Sequence, residues 1–399
     1  MASGERCSDM EWYRDLALTA TRIIATLYVM RTYRPITGPF TFVIAILVVV
    51  SGCDSSDPSS SAGGDSSGVP DVLETAYRGF SLSPRGFPED FSQIGAFFDE
   101  VQALGRAGVQ ANMLWRDDVI GGTDAGEVPE VAQVVTAQDE LRDVTLSIVF
   151  GWRSGEEVRL AVPGNPANDW SNTEAISRFA DMAASFARDN EVEFLFLGNE
   201  TDFHAEQNPQ DYQRWTAAYR TIRQEIKLRS PDTLVGTVFN AEHMMGTGAF
   251  SGWTTPVFDA WSLHDASTID VVGLTVYPYL GTQRPDDLSA DYLAPLFELF
   301  GPKPIVVTET GWPADGGGLP TAWETGEQQQ LDFLPRLTAM LAGQDVRAVN
   351  WLFLYPLAGV VPAEIRRTFQ SVSARREDGE KRLMYDAWAE FAAQREVQQ

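Results

Sequence analysis

The chain has 399 residues, 30 basic and 56 acidic, for a net charge of −26. So large a negative charge repels phosphate backbones and anionic lipid headgroups, which argues against nucleic acid as a partner and suits an uncharged ligand. With 44% hydrophobic and 11% aromatic residues, the chain can pack a large globular domain.

Residues 40–50 form an apolar run broken only by Thr41. It is shorter than the ~20 residues a membrane-spanning helix needs. Arg31 and Arg34 precede it, and Val50-Ser51-Gly52-Cys53 follows it. A charged start, an apolar middle and small residues before a cut predict a secretory signal. Cys53 directly after Ser-Gly resembles the cysteine of a bacterial lipobox, which is acylated and becomes the new N-terminus. Residues 1–52 are therefore expected to be a leader, with Met30 its natural start and 1–29 an upstream extension. Cys7 leaves with it, so no disulfide, cysteine metal site or thiol nucleophile is expected. The expected location is the cell envelope, with membrane attachment through the lipid on Cys53 alone. Residues 53–70, rich in Ser, Gly and Asp, cannot bury a core and read as a flexible tether.

From residue 71 to 399 short apolar runs alternate with longer helical stretches. The runs are 76–82, 109–115, 144–152, 193–200, 234–240, 271–277, 304–309 and 348–355. Between them, 91–107 carries Ile94, Phe97, Phe98, Val101 and Leu104 at helical spacing. Residues 172–189 and 209–229 are similar, while Pro335 interrupts the last of the inter-strand helices. Alternation of this kind implies a parallel sheet, and eight repeats predict an α/β fold, a (β/α)8 TIM barrel in a single catalytic domain. The stretch Gly79-Phe80-Ser81-Leu82-Ser83-Pro84 after the first strand is not a dinucleotide or phosphate loop, which disfavours an open doubly wound sheet.

In such a barrel the strand C-termini share one face, where chemistry takes place. Trp115 ends the second strand, Trp152 the third and Asn199-Glu200 the fourth. Asn240 and Glu242 follow the fifth; Tyr277 and Tyr279 follow the sixth. Glu309 and Trp312 end the seventh, with Trp351 and Tyr355 on the eighth. Two carboxylates ringed by aromatics suit a sugar, whose flat C–H faces stack on rings while its hydroxyls seek polar groups. Cleavage of a glycosidic bond needs one protonated carboxyl as acid and one ionised carboxyl as nucleophile or base. Asp117 and Asp118 read as a solvated loop. His204, His243 and His264 lack the spacing of a metal site, with His243 near the cleft, and no metal or cofactor is expected.

Gly198-Asn199-Glu200 resembles the strand-four signature of clan A glycoside hydrolases. Thr308-Glu309-Thr310-Gly311-Trp312-Pro313 is similar to the strand-seven motif of glycoside hydrolase family 17, the β-1,3-glucanases. Val276-Tyr277-Pro278-Tyr279 resembles that family's strand-six motif, and the run 269–278 resembles family 53, the endo-β-1,4-galactanases. The likeness implies Glu200 as acid/base, Glu309 as nucleophile, Asn199 on the substrate 2-hydroxyl, and Tyr277 donating to Glu309. It also implies retention of anomeric configuration, with carboxyls ~5–5.5 Å apart. Many clan members carry His where Thr275 stands, which tilts the likeness toward family 17. The expected substrate is a neutral polysaccharide or oligosaccharide of the β-1,3-glucan or β-galactan type, bound by a monomer. A transglycosylase and a glycan-binding lipoprotein are the alternatives. A barrel for phosphorylated substrates has only Gly316-Gly317-Gly318 in its favour.

Overall fold

The structure, a computed structural model, describes residues 76–393 apart from 106, 115–124, 139–143, 152–169, 249–251, 317–318, 320–322 and 359–362. The leader, Cys53 and the tether lie outside the described residues, as do Trp115, Asp117, Asp118 and Trp152.

Eight parallel strands close into a barrel in chain order. They are β1 (Tyr77–Ser81), β2 (Ala107–Leu114), β3 (Thr145–Gly151), β4 (Phe194–Leu197), β5 (Leu234–Asn240), β6 (Val271–Val276), β7 (Ile305–Thr310) and β8 (Val346–Trp351). β1 pairs with both β2 and β8, which closes the ring. The (β/α)8 TIM barrel read from the alternating runs is the fold of the chain.

Side chains alternate across the barrel wall. Inward, Tyr77, Val149, Phe194, Phe196, Leu234, Val238, Val271, Val306 and Ala348 form one apolar plug. Phe194 and Phe196 supply so much bulk that their neighbours shrink. A Cβ on inward Gly273 would lie 2.9 Å from Phe196 and 2.8 Å from Val238. Outward, the odd-numbered residues of β4 and β5 pack beneath helices: Leu195, Leu197, Val235 and Phe239 join the larger core. Each such buried side chain contributes about 2 kcal/mol of hydrophobic free energy.

The helix Thr173–Asp189 shows how sequence sets that outer layer. Asn172 caps it by accepting the Ala175 N–H at 3.0 Å, and Glu174 and Arg188 sit at its favourable ends. Its Phe179 and Phe186 pack edge-on against Phe150 of β3. Pro335 does not end its helix, which runs unbroken over Glu327–Leu341. The apolar face of Phe333, Leu334, Leu337, Met340 and Leu341 is buried throughout, which outweighs the lost hydrogen bond. Among the described residues no helix is long and apolar enough to cross a membrane.

Candidate active site

Toward the C-terminal rim the inward positions turn from apolar to polar. Asn112 on β2, Asn240 on β5 and Thr275 on β6 stand above the plug, while Gln110 on β2 and Ser147 on β3 pair in register with Phe194 at its level. Two glutamates enter this layer. β4 ends at Leu197, three residues before Glu200. Gly198 (φ 91°) and Glu200 (φ 49°) turn the chain, and the bonds from Asn240 and Thr275 show Glu200 directed inward. Gly198 still bonds to both neighbouring strands, its N–H to Phe150 and its carbonyl to the Val238 N–H. Glu309 instead lies within β7. Val306 points inward, so simple alternation would send Glu309 outward. The register against β6 skips Thr308, however: Leu274 pairs with Val307 and Thr275 with Glu309. That one-residue bulge swings Glu309 into the barrel.

The two carboxyls meet at Thr275, which pairs with Glu309 in the sheet and donates its hydroxyl to Glu200 Oε1 at 2.8 Å. Asn240 Nδ2 donates to the same oxygen at 2.9 Å. Both donors reach Oε1, which leaves Oε2 to carry an acid's proton. The Asn240 amide cannot flip, because its Oδ1 caps the next helical turn by accepting the His243 N–H. Asp202 fixes the same corner: one oxygen takes the Asn240 backbone N–H at 2.8 Å, the other faces His243 Nδ1 at 2.5 Å. His243 stacks on Phe203 and reaches Glu206 through Nε2 at 3.1 Å. Burial works against a charged His243, yet Asp202 and Glu206 raise its pKa above the usual imidazole value.

Glu309 is held differently. Tyr277 donates to its Oε2 and Asn112 Nδ2 to its Oε1, both at 2.7 Å. Asn112 is oriented by a chain of its own. Ser147 donates to Gln110 Oε1 at 2.6 Å, and Gln110 Nε2 donates to Asn112 Oδ1 at 3.1 Å. Asn112 must then present its NH2 to Glu309.

These surroundings separate the pair. Burial, then the Glu309 charge, push Glu200 up to about 8, with Asp202 adding to the rise and the Asn240 and Thr275 donors opposing it. Burial also raises Glu309, but its two donors pull it back. The arrangement can hold one carboxyl protonated and the other ionised near neutral pH.

The remaining sequence candidates divide. Asn199 is half-buried beside Glu200, and its Oδ1 has no hydrogen-bond partner among the described residues. Tyr279 is buried, with its ring 5.9 Å from that of Tyr277. Trp312 and Trp351 are corrections: both are fully buried in the layer between barrel wall and helices, not open to a sugar. Trp351 points outward at the end of β8, donates to the Val372 carbonyl and packs on Phe333 and Trp388. Trp312 packs on Phe333 and backs Tyr279. Sequence reasoning missed Asn112 and Gln110. Their signal was a polar residue at every second position of an otherwise apolar run.

No family model matches the chain, and no curated protein matches it. Solved structures do. An exo-β-1,4-mannosidase, Op5Man5 from Opitutaceae bacterium strain TAV5, is 17% identical over 79% of this chain and 59% of its own, with a TM-score of 0.54. A family 39 glycoside hydrolase from Bacteroides cellulosilyticus WH2 is 17% identical over 81% and 64%, with a TM-score of 0.52. A β-glucosidase mutant derived from a hyperthermophilic tetrameric structure is 13% identical over 81% and 96%, with a TM-score of 0.53. The chain thus spans less than two thirds of the first two and nearly all of the third. The likeness is one of fold, shared with glycoside hydrolases.

Proposed function

We propose that the protein is a retaining glycoside hydrolase acting on β-linked glycans. The observation that carries this reading is the unequal treatment of two adjacent buried carboxyls. Glu309 has a short donor on each oxygen, as a fixed ionised nucleophile requires. Glu200 takes both donors on one oxygen and is pushed up to about 8, as an acid at neutral pH requires.

In the first step Glu309 attacks the anomeric carbon while Glu200 gives its proton to the departing oxygen. The glycosidic C–O bond breaks as the ester to Glu309 forms. Glu200, now ionised, then takes a proton from water, whose oxygen displaces Glu309 from the sugar. Asn199, half-buried beside Glu200, is assigned to a sugar hydroxyl. The mannosidase and β-glucosidase among the structural neighbours support a β-glycoside. The motif likeness to families 17 and 53 narrows the class to β-1,3-glucan or β-galactan. The anchor on Cys53 and an envelope location belong to the same reading.

A 2-deoxy-2-fluoro aryl β-glycoside tests it directly, since a retaining enzyme accumulates a covalent ester. Peptide mass mapping should find the label on Glu309; a label elsewhere, or product released with inverted configuration, would overturn the reading. Reducing-end release from laminarin, galactan, mannan and cellulose identifies the glycan. Cys53→Ser should release the protein from membranes.

A further inference from the structure

Glu242 is a fully buried carboxyl that the two-carboxyl reaction leaves unused. It sits in the single helical turn Ala241–Met245 that follows β5. Its Oε2 accepts the backbone N–H of Tyr277 at 2.8 Å, and its Oε1 faces the Tyr292 hydroxyl at 3.3 Å. Tyr277 is the first residue beyond β6, and Pro278 follows it, so the sheet does not fix its main chain from both sides. Its hydroxyl is nevertheless the donor to Glu309 Oε2.

Resting on the glycosidase reading above, we propose that Glu242 is a positioning residue for the nucleophile: it anchors the main chain of Tyr277 and so aims that phenol at Glu309. A buried amide N–H needs an acceptor, but a neutral carbonyl would satisfy it at less cost than a buried carboxyl. A carboxylate makes the stronger, shorter bond. Strength matters here because a displacement of about 1 Å in a catalytic constellation costs about 100-fold in rate. The same turn serves the other carboxyl, since Asn240 at its start donates to Glu200. One helical turn after β5 thereby sets both members of the pair.

Glu309 faces Tyr277 and Asn112 through hydrogen bonds, and Glu200 across the cleft. Glu242 faces Tyr277 and Tyr292, with Asp202 and Tyr279 also within electrostatic reach. Two explanations of a Glu242 effect therefore have opposite signs. Removing a nearby negative charge makes Glu309 a stronger acid. Loosening the Tyr277 hydrogen bond makes it a weaker one.

The experiment titrates glutamate side-chain carboxyls of the full chain by 13C NMR, with the Glu309 resonance identified by its loss in Glu309→Gln. Tyr277→Phe should weaken Glu309 as an acid by about tenfold. Glu242→Ala should shift it the same way, and the double variant no further than Tyr277→Phe alone. Glu242→Asp keeps the charge but shortens the reach, and should behave as Glu242→Ala; it serves if the alanine variant does not fold. Glu242→Gln, whose amide oxygen can accept the same N–H but more weakly, should shift Glu309 in the same direction by less than Glu242→Ala. Additive shifts, a shift of opposite sign, or no shift would overturn the proposal, as would a rise in KM with the titration unchanged. The titration needs no turnover. A wild type inert on every β-glycoside would sink the glycosidase reading while leaving the Glu242–Tyr277–Glu309 coupling measurable.

Discussion

On β4 the chain leaves the ladder before its glutamate; on β7 the ladder runs past it. Glu200 stands on a left-handed turn beyond Leu197, whereas Glu309 is embedded in a strand and reaches the cleft through a bulge at Thr308. The holding groups follow the same division. Glu200 is gripped on one oxygen, from β5 and β6. Glu309 is gripped on both, from β2 and the end of β6. A group that must release and recover a proton keeps one oxygen open. A group that must present one lone pair along one line is clamped in the sheet. The difference between the two strand ends is thus a difference between proton transfer and nucleophilic attack.

The sharpest way to break this comparison is to exchange the roles. Glu309→Gln should lower kcat on an aryl β-glycoside by about 10⁴-fold or more. Glu200→Ala should be severe with poor leaving groups, but with a dinitrophenyl leaving group the first step needs no acid. Azide, which needs no base, should then restore turnover and yield the β-glycosyl azide. Azide rescue of Glu309→Gln to a β-azide instead would reverse the assignment.

A smaller effect is expected where Glu309 is clamped. Asn112→Leu removes a donor to a charged carboxylate, worth about 1.5–3 kcal/mol, or roughly 10- to 100-fold in kcat. Because that donor favours the ionised form, the acidic limb of the rate profile should move to higher pH. A change confined to KM would mean that Asn112 binds sugar and does not tune Glu309.

Much of the barrel was legible because hydrophobic alternation and strand count are local properties. The residues 193–200, 234–240 and 271–277 announce their strands within one residue or a few. What local pattern cannot report is which side of the wall a strand-end residue takes. Trp351 and Glu309 both read as rim residues. Trp351 keeps simple alternation and faces the helices, while the bulge at Thr308 breaks alternation and turns Glu309 inward. The bulge is a property of two strands together. Asn112 was harder to read for a related reason: alternation within β2 marks it as inward and polar, but its partner lies 197 residues away.

The proton side of the comparison is sharpened by pH. Glu200 must be protonated in the first step, so turnover should fall as pH rises through about 8. Thr275→Val deletes a donor that favours the ionised form. It should therefore move the basic limb upward, with only a few-fold change in the plateau rate. The acidic limb, set by Glu309, should stay in place. A downward move of the basic limb would contradict the hydrogen bond drawn from Thr275.

Stability gives the smallest effect, a contrast in size. Glu200 carries φ 49°, a conformation that costs a residue with an ordinary side chain roughly 1–2 kcal/mol and that Asn adopts readily. Glu200→Asn relieves that strain but is too short to meet Asn240 and Thr275, so its melting temperature should fall by less than that of Glu309→Asn while acid catalysis is lost. Glu309, beside the bulge, has no positive φ and no such strain to relieve. Glu309→Asn is too short to meet Tyr277 and Asn112 together, and an unpaired buried donor costs about 1–3 kcal/mol, so its melting temperature should fall. Calorimetry on the two variants measures the contrast. Equal shifts of the same sign would mean that the turn after β4 stores no strain, and that the two strand ends differ in hydrogen bonding alone.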